Sequence, residues 1–342
     1  MTITSRLVPT SRLQTFVREA GAPDAPPLVL VHGNVSSSVF FEELMEDLAA
    51  EFRLIAPDFR GYGGSERKAI DATRGMRDLS DDLLALLDEL GLTEPVDLLG
   101  WSAGGNVVLQ LAIDHPERVR RLVLEACGSP FGFGGSTGLD GRAVADDFAG
   151  SGGGTANPEF CQRLAQGDRG EDPASPLTTM RQFYVRPGFT FDPAVEQKYL
   201  DGMLATSVGD DVYPGDLTTS ENWPGVAPGT TGMNNALSPK YLDQSAFADL
   251  DPAPPVLWIR GDADQIVSDT SMFDLAQLGR LGVVPGYPGE EVVPTQPMVS
   301  QLRAVLDAAG GDYREVVYED CGHSPHLEHA RRFAEDVRSF LR

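Results

Sequence analysis

Val96-Asp97-Leu98-Leu99-Gly100-Trp101-Ser102-Ala103-Gly104-Gly105 is the stretch on which the fold turns. Its apolar run up to Trp101 has the length and flanks of a buried parallel strand, and from Ala103 to Asp114 the pattern becomes helical. Between the two lies Gly100-Trp101-Ser102-Ala103-Gly104, a G-x-S-x-G pattern at a sharp strand-to-helix turn. Small residues at 100, 104 and 105 leave room for a serine held in a strained conformation. Such a turn lifts the serine Oγ clear of the sheet and aims the first N–H groups of the helix at the same spot, where developing negative charge is stabilised. The pattern alone is common in Gly-rich chains. With a strand before it and a helix after it, Ser102 reads as a nucleophile rather than as a serine in a tight turn.

Outward from this elbow, strands are expected at Gln14–Glu19, Leu28–His32, Phe52–Pro57 and Arg121–Glu125, alternating with helices at Phe41–Ala50 and Leu79–Leu90. That alternation is the rhythm of an α/β fold, a mostly parallel sheet flanked by helices. It breaks after Ala126, where Gly-, Pro- and Asp-rich clusters take over, and returns at Pro255 with the strand VLWIR. Helices near Thr270–Leu281 and at Met298–Ala308, a strand at Tyr313–Tyr318 and a closing helix at Glu328–Leu341 complete the chain. The expected organisation is a core formed by residues 1–126 and 251–342, with 127–250 inserted as a lid or cap.

Composition narrows the partners. The chain has 51 acidic and 27 basic residues, a formal charge of −24, which argues against nucleic acid because phosphate binding needs a basic face. No apolar run approaches the roughly 18 residues of a membrane helix, and the start MTITSRLVPTSRLQ lacks the layout of a signal peptide, so a cytoplasmic protein without membrane contact is expected. Cys127, Cys161 and Cys321 are widely spaced, with no CxxC, and read as reduced thiols rather than as a disulfide framework or zinc site.

A serine hydroxyl needs a base, and five histidines are available: His32, His115, His323, His326 and His329. His323 follows the strand YREVVYED directly, in Cys321-Gly322-His323, and is the best placed at the catalytic edge of a sheet. His326 and His329 follow it at successive spacings of three, but no acid completes a ligand set, so loop packing or solvent exposure is expected and no metal. The base in turn needs a carboxylate to orient it. Asp262 and Asp264, in Gly261-Asp262-Ala263-Asp264 after VLWIR, both precede His323, giving the chain order Ser, Asp, His.

With the elbow, His32-Gly33-Asn34, Asp58-Phe59-Arg60-Gly61-Tyr62-Gly63-Gly64-Ser65, the G-D-A-D segment and Cys321-Gly322-His323 in this order, the chain resembles the α/β-hydrolase fold superfamily over Leu28–Ala126 and Pro255–Arg342. The resemblance implies Asp264, three residues after its glycine, as the orienting acid; Asp262 and Glu125, at the end of the strand after the elbow helix, are the alternatives. It implies an oxyanion hole from the N–H groups of Ala103 and Asn34, with Val35 as the alternative donor, and a structural role for Asp58 to Ser65. Ser102 excludes the aspartate-nucleophile branches, such as haloalkane dehalogenases and epoxide hydrolases, although His32-Gly33-Asn34 is similar to the former. The leading expectation is hydrolysis of an apolar small-molecule ester or lactone through an acyl-serine, with no cofactor. Amide, peptide or carbon–carbon bond hydrolysis on the same triad is the second, and a receptor-like relative with slow turnover the third. The insert and a second excursion, residues 279–297, are expected to border the entrance. Phe131, Phe133, Phe183, Tyr184, Tyr213, Trp223 and Tyr241 either line an apolar pocket there or form the insert's own core.

Overall fold

The computed structural model of the protein describes residues 2–342. Eight strands form one sheet: β1 (Thr4–Pro9), β2 (Gln14–Ala20), β3 (Pro27–Val31), β4 (Arg53–Pro57), β5 (Val96–Trp101), β6 (Val119–Glu125), β7 (Val256–Gly261) and β8 (Tyr313–Tyr318). Their order is β1-β2-β4-β3-β5-β6-β7-β8; β3 to β8 run parallel, and β2 is antiparallel to both of its neighbours. β5 lies between β3 and β6 with all six residues buried, so it reads as an apolar run broken only at Asp97, whose buried carboxylate pairs with Arg120.

β1 has no counterpart in the sequence reading. Only Val8 of its six residues is buried, so no apolar alternation marks it; its pairing with β2, from Thr4 opposite Glu19 to Pro9 opposite Gln14, creates the strand. Two expected helices also change. The one near Thr270–Leu281 shortens to Leu275–Arg280 because the Asp274 carboxylate accepts the Ala276 N–H at 3.0 Å and caps the first turn. The closing helix breaks at His329, which leaves the helical region (φ −129°, ψ 44°), into Pro325–Glu328 and Ala330–Leu341.

Helices α1 (Glu42–Leu48), α2 (Arg77–Glu89) and α3 (Ala103–Asp114) cover the sheet, α2 packing on α3 and α1 on Ala330–Leu341. From Ala103 to Ala112, every residue of α3 is buried. The connection from β6 to β7 carries the helices Pro158–Ala165 and Pro193–Leu204, shorter turns and three small two-stranded pairings. Asn157 and Asp192 cap its two longer helices through side-chain oxygens. Among the described residues no helix is long and apolar enough to cross a membrane.

Candidate active site

Four parallel strands deliver the candidate groups to one edge: Asn34 follows β3, Ser102 follows β5, Asp264 follows β7 and His323 follows β8. This is the carboxyl edge of the sheet, where open α/β folds place their ligands. Ser102 is strained, with φ 56° and ψ −122°. Its N–H donates to Glu125 O at 2.8 Å, tying the elbow to the end of β6. The approach of α3 to the sheet explains the glycines: a Cβ on Gly104 would stand 2.1 Å from Val31 O, and one on Gly100 would stand 2.4 Å from Gly104 O.

His323 Nδ1 lies 2.8 Å from Asp264 Oδ2, and both residues are buried. The other carboxylate oxygen, Asp264 Oδ1, accepts the N–H groups of Ile266 at 2.8 Å and Val267 at 3.0 Å, so the carboxylate is fixed from both sides. With Nδ1–H donating to Asp264, His323 Nε2 is an acceptor facing the cavity that Ser102 also lines. Ser102 Oγ makes no hydrogen bond to a protein group among the described residues. Trp101 Nε1 donates to His323 O at 2.9 Å and joins the His323 loop to the elbow.

The alternative acids go elsewhere. Asp262 is exposed, and its carboxylate accepts the Cys321 N–H at 3.4 Å. Glu125 is fully buried and holds His326, accepting from both its N–H at 2.8 Å and its Nδ1 at 2.7 Å. His326 Nε2 faces Phe40 O at 3.1 Å, so this histidine is absorbed in packing. His329 lies edge-on to Tyr318, and His115 stands beside Glu117 on the surface. His32 accepts the Phe59 N–H at Nε2, 3.0 Å away, while its Nδ1 lies 2.8 Å from Gly33 O; burial pushes its pKa down to about 4, so it is a neutral prop under the β3 loop. Among the described residues no group of three or more His, Cys, Asp or Glu is arranged to hold a metal ion.

Asn34 and Ala103 both line the cavity on which Ser102 and His323 open. The N–H groups of Asn34 and Ala103 have no acceptor among the described residues, whereas the Val35 N–H is taken by Asn34 Oδ1 at 3.0 Å. The motif from Asp58 to Ser65 stays structural: Asp58 accepts the N–H groups of Ser38 and Gly64, and buried Arg60 pairs with Asp78 and Asp82.

Ser102 and His323 open into a cavity of about 460 Å³. Of the seven aromatics singled out in the sequence, Phe133, Phe183, Tyr184 and Tyr213 line it. Phe131 is core, Tyr241 bonds Gly229 O, and Trp223 packs on Tyr287 of the 279–297 excursion. Phe160, Leu237, Met272 and Phe273 complete an apolar wall that no sequence pattern marked, because they come from segments brought together only by the fold. Among the described residues no Asp, Glu, Lys or Arg lines the cavity.

A family model described as the alpha/beta hydrolase fold matches residues 26–330. The 2-hydroxymuconate semialdehyde hydrolase of Pseudomonas sp. (strain CF600) is 32% identical over 222 residues, covering 59% of this chain and 70% of that protein. The 2-hydroxy-6-oxo-2,4-heptadienoate hydrolase of Pseudomonas putida is 38% identical over 122 residues, or 35% of this chain and 43% of that protein. Among solved structures, a putative aryl esterase from Burkholderia cenocepacia superposes with a TM-score of 0.62 at 18% identity, covering 99% of this chain and 98% of that one. Naproxen esterase from Bacillus subtilis gives 0.61 at 18% identity, covering 100% and 92%. At these identities the structural likeness speaks for the fold.

Proposed function

This chain belongs to the α/β-hydrolase fold family, and from that premise we propose that it is a serine hydrolase cleaving neutral, apolar carboxylic esters or lactones through an acyl-serine. The observation that carries the reading is Ser102 at a strained elbow, opening with His323 into an apolar cavity while Asp264 holds the far side of the imidazole. In this mechanism Ser102 Oγ attacks the carbonyl carbon as His323 Nε2 takes its proton. Asp264 fixes the tautomer and stabilises the imidazolium. The oxyanion is received by the N–H groups of Asn34 and Ala103. Collapse expels the alcohol, which takes the proton from His323, and water then repeats the sequence on the acyl-serine. The β6–β7 connection, residues 127–250, serves as the cap, since it supplies Phe133, Phe160, Tyr184 and Leu237 to the cavity.

Carbon–carbon bond hydrolysis is the second reading, prompted by the relatives named for muconate semialdehyde and heptadienoate substrates. A dienoate brings a carboxylate, and the cavity offers no lysine or arginine to meet it, so burial there would be strongly unfavourable. The ester reading is favoured for that reason. Steady-state kinetics on p-nitrophenyl acetate to decanoate, a set of γ- and δ-lactones and 2-hydroxy-6-oxo-2,4-heptadienoate tests both. Medium-chain esters or lactones should exceed acetate in kcat/KM by about tenfold or more, at roughly 0.8 kcal/mol per buried methylene. Preferential cleavage of the dienoate would overturn the ester reading; activity retained by Ser102→Ala would overturn the serine.

A further inference from the structure

Tyr184 ends the π-helical turn Met180–Tyr184 in the β6–β7 connection, lines the cavity, and brings its hydroxyl to the loop after β3. There it lies 3.1 Å from Asn34 O and 2.9 Å from Val35 O, and neither carbonyl has another donor among the described residues. Val35 has φ 45°, a left-handed conformation that a β-branched residue adopts only when its surroundings impose it. The rest of the loop is pinned as well: Tyr62 OH donates to Asn34 Oδ1 at 2.8 Å, and Asn34 Nδ2 donates to Asn234 Oδ1 at 3.0 Å. Burial pushes the Tyr184 phenol well above its ordinary pKa, so it remains a donor at every working pH.

We infer that Tyr184 is a positioning residue for acyl transfer: its hydroxyl, supplied by the cap, holds the strained Asn34-Val35 turn and thereby aims the Asn34 N–H at the oxyanion. The inference rests on the serine hydrolase reading and adds to it a dependence of rate on the cap. Because the oxyanion exists only in the transition state and the acyl-transfer intermediates, a loosened donor weakens those states more than it weakens substrate binding. A cap residue that only shaped the pocket would act on KM and on chain-length preference.

Tyr184→Phe tests this. The substitution removes one oxygen and keeps the ring beside Phe40 and Trp101, so the variant folds, as thermal melting will show. On p-nitrophenyl butyrate and octanoate alike, kcat should fall about tenfold, part of the 10²–10³ that loss of a whole oxyanion donor costs, with KM within about twofold of wild type. An alkyl trifluoromethyl ketone, which forms a hemiketal oxyanion on the serine, should lose the same factor in affinity, while the alcohol of the same skeleton binds as before. An unchanged kcat, or a loss confined to KM or shared equally by the alcohol, would overturn the inference and leave the hydrolase reading standing. A wild type that neither turns over esters nor labels with a fluorophosphonate would overturn both.

Discussion

Replacing Asp264 by asparagine separates the orienting acid from its rivals, and the hydrogen bonds around the carboxylate say how. Asp264 Oδ1 accepts two backbone N–H groups, from Ile266 and Val267, while Oδ2 faces His323 Nδ1. An asparagine keeps its carbonyl oxygen on the two N–H groups, which fixes the side chain and turns its NH₂ toward the imidazole. His323 must then accept at Nδ1 and carry its proton on Nε2, the atom that has to take the Ser102 proton. The fold is retained and the base is lost, together with the charge that stabilises the imidazolium. For Ser-His-Asp enzymes the corresponding loss is about 10⁴ in kcat, or roughly 5.4 kcal/mol. Glu125→Gln should act differently, because Glu125 bonds His326 rather than His323. It replaces a carboxylate by an amide in a buried hydrogen-bonded pair and should cost about 1–3 kcal/mol of stability, with kcat within about tenfold. Asp262→Asn, exposed, should change little. Initial rates for p-nitrophenyl esters beside urea melts of the three variants decide. A folded Glu125→Gln less active than Asp264→Asn would refute the assignment.

His32 makes stability depend on pH. Burial holds it near pKa 4 against an ordinary 6.5, so the unfolded chain takes up the proton first. The stability it contributes is whole above pH 6.5 and is lost as pH falls from there through 4, about 3 kcal/mol for a shift of this size. Urea denaturation from pH 7 to 4 should show this slope, and His32→Gln, which can make both of its hydrogen bonds without titrating, should lose that share of it. Gly104→Ala drives a Cβ to 2.1 Å from Val31 O, a backbone clash with nowhere to relax. A loss of about 3 kcal/mol or more is expected, lowering Tm by roughly 6 °C or more, and a melt within 2 °C of wild type would show that α3 can move off the sheet.

The legible part of this molecule is its sheet edge. β5, the elbow and α3 are written in local sequence, as an apolar run, three glycines and a helical period, so Ser102 was placed without tertiary information. His323 and Asp264 were legible as residues that follow strands, but their 2.8 Å contact depends on β7 and β8 lying side by side, which no spacing encodes. Glu125 shows the same limit from the other side, since its partner is 201 positions away and only the fold decides that His326, not His323, reaches it. β1 escaped because a solvated edge strand carries no apolar signal. Sequence leaves Asn34 and Val35 open as backbone donors; that the Asn34 side-chain oxygen folds back onto the Val35 N–H is a contact no pattern marks.

Why a buried Glu125–His326 pair should persist at all has an answer in what it connects. Its burial costs desolvation, and an apolar pair of similar volume could be as stable. The geometry favours a positional role. Glu125 O receives the Ser102 N–H, its carboxylate receives His326 three residues beyond the base, and Trp101, beside the nucleophile, reaches His323 O. Ser102 and His323 thus belong to loops joined at two points by directional bonds that packing alone would not supply. Such a staple limits how far Ser102 and His323 can drift apart. An apolar replacement of both partners should therefore hold Tm and lose kcat, the reverse of what a purely stabilising pair would show.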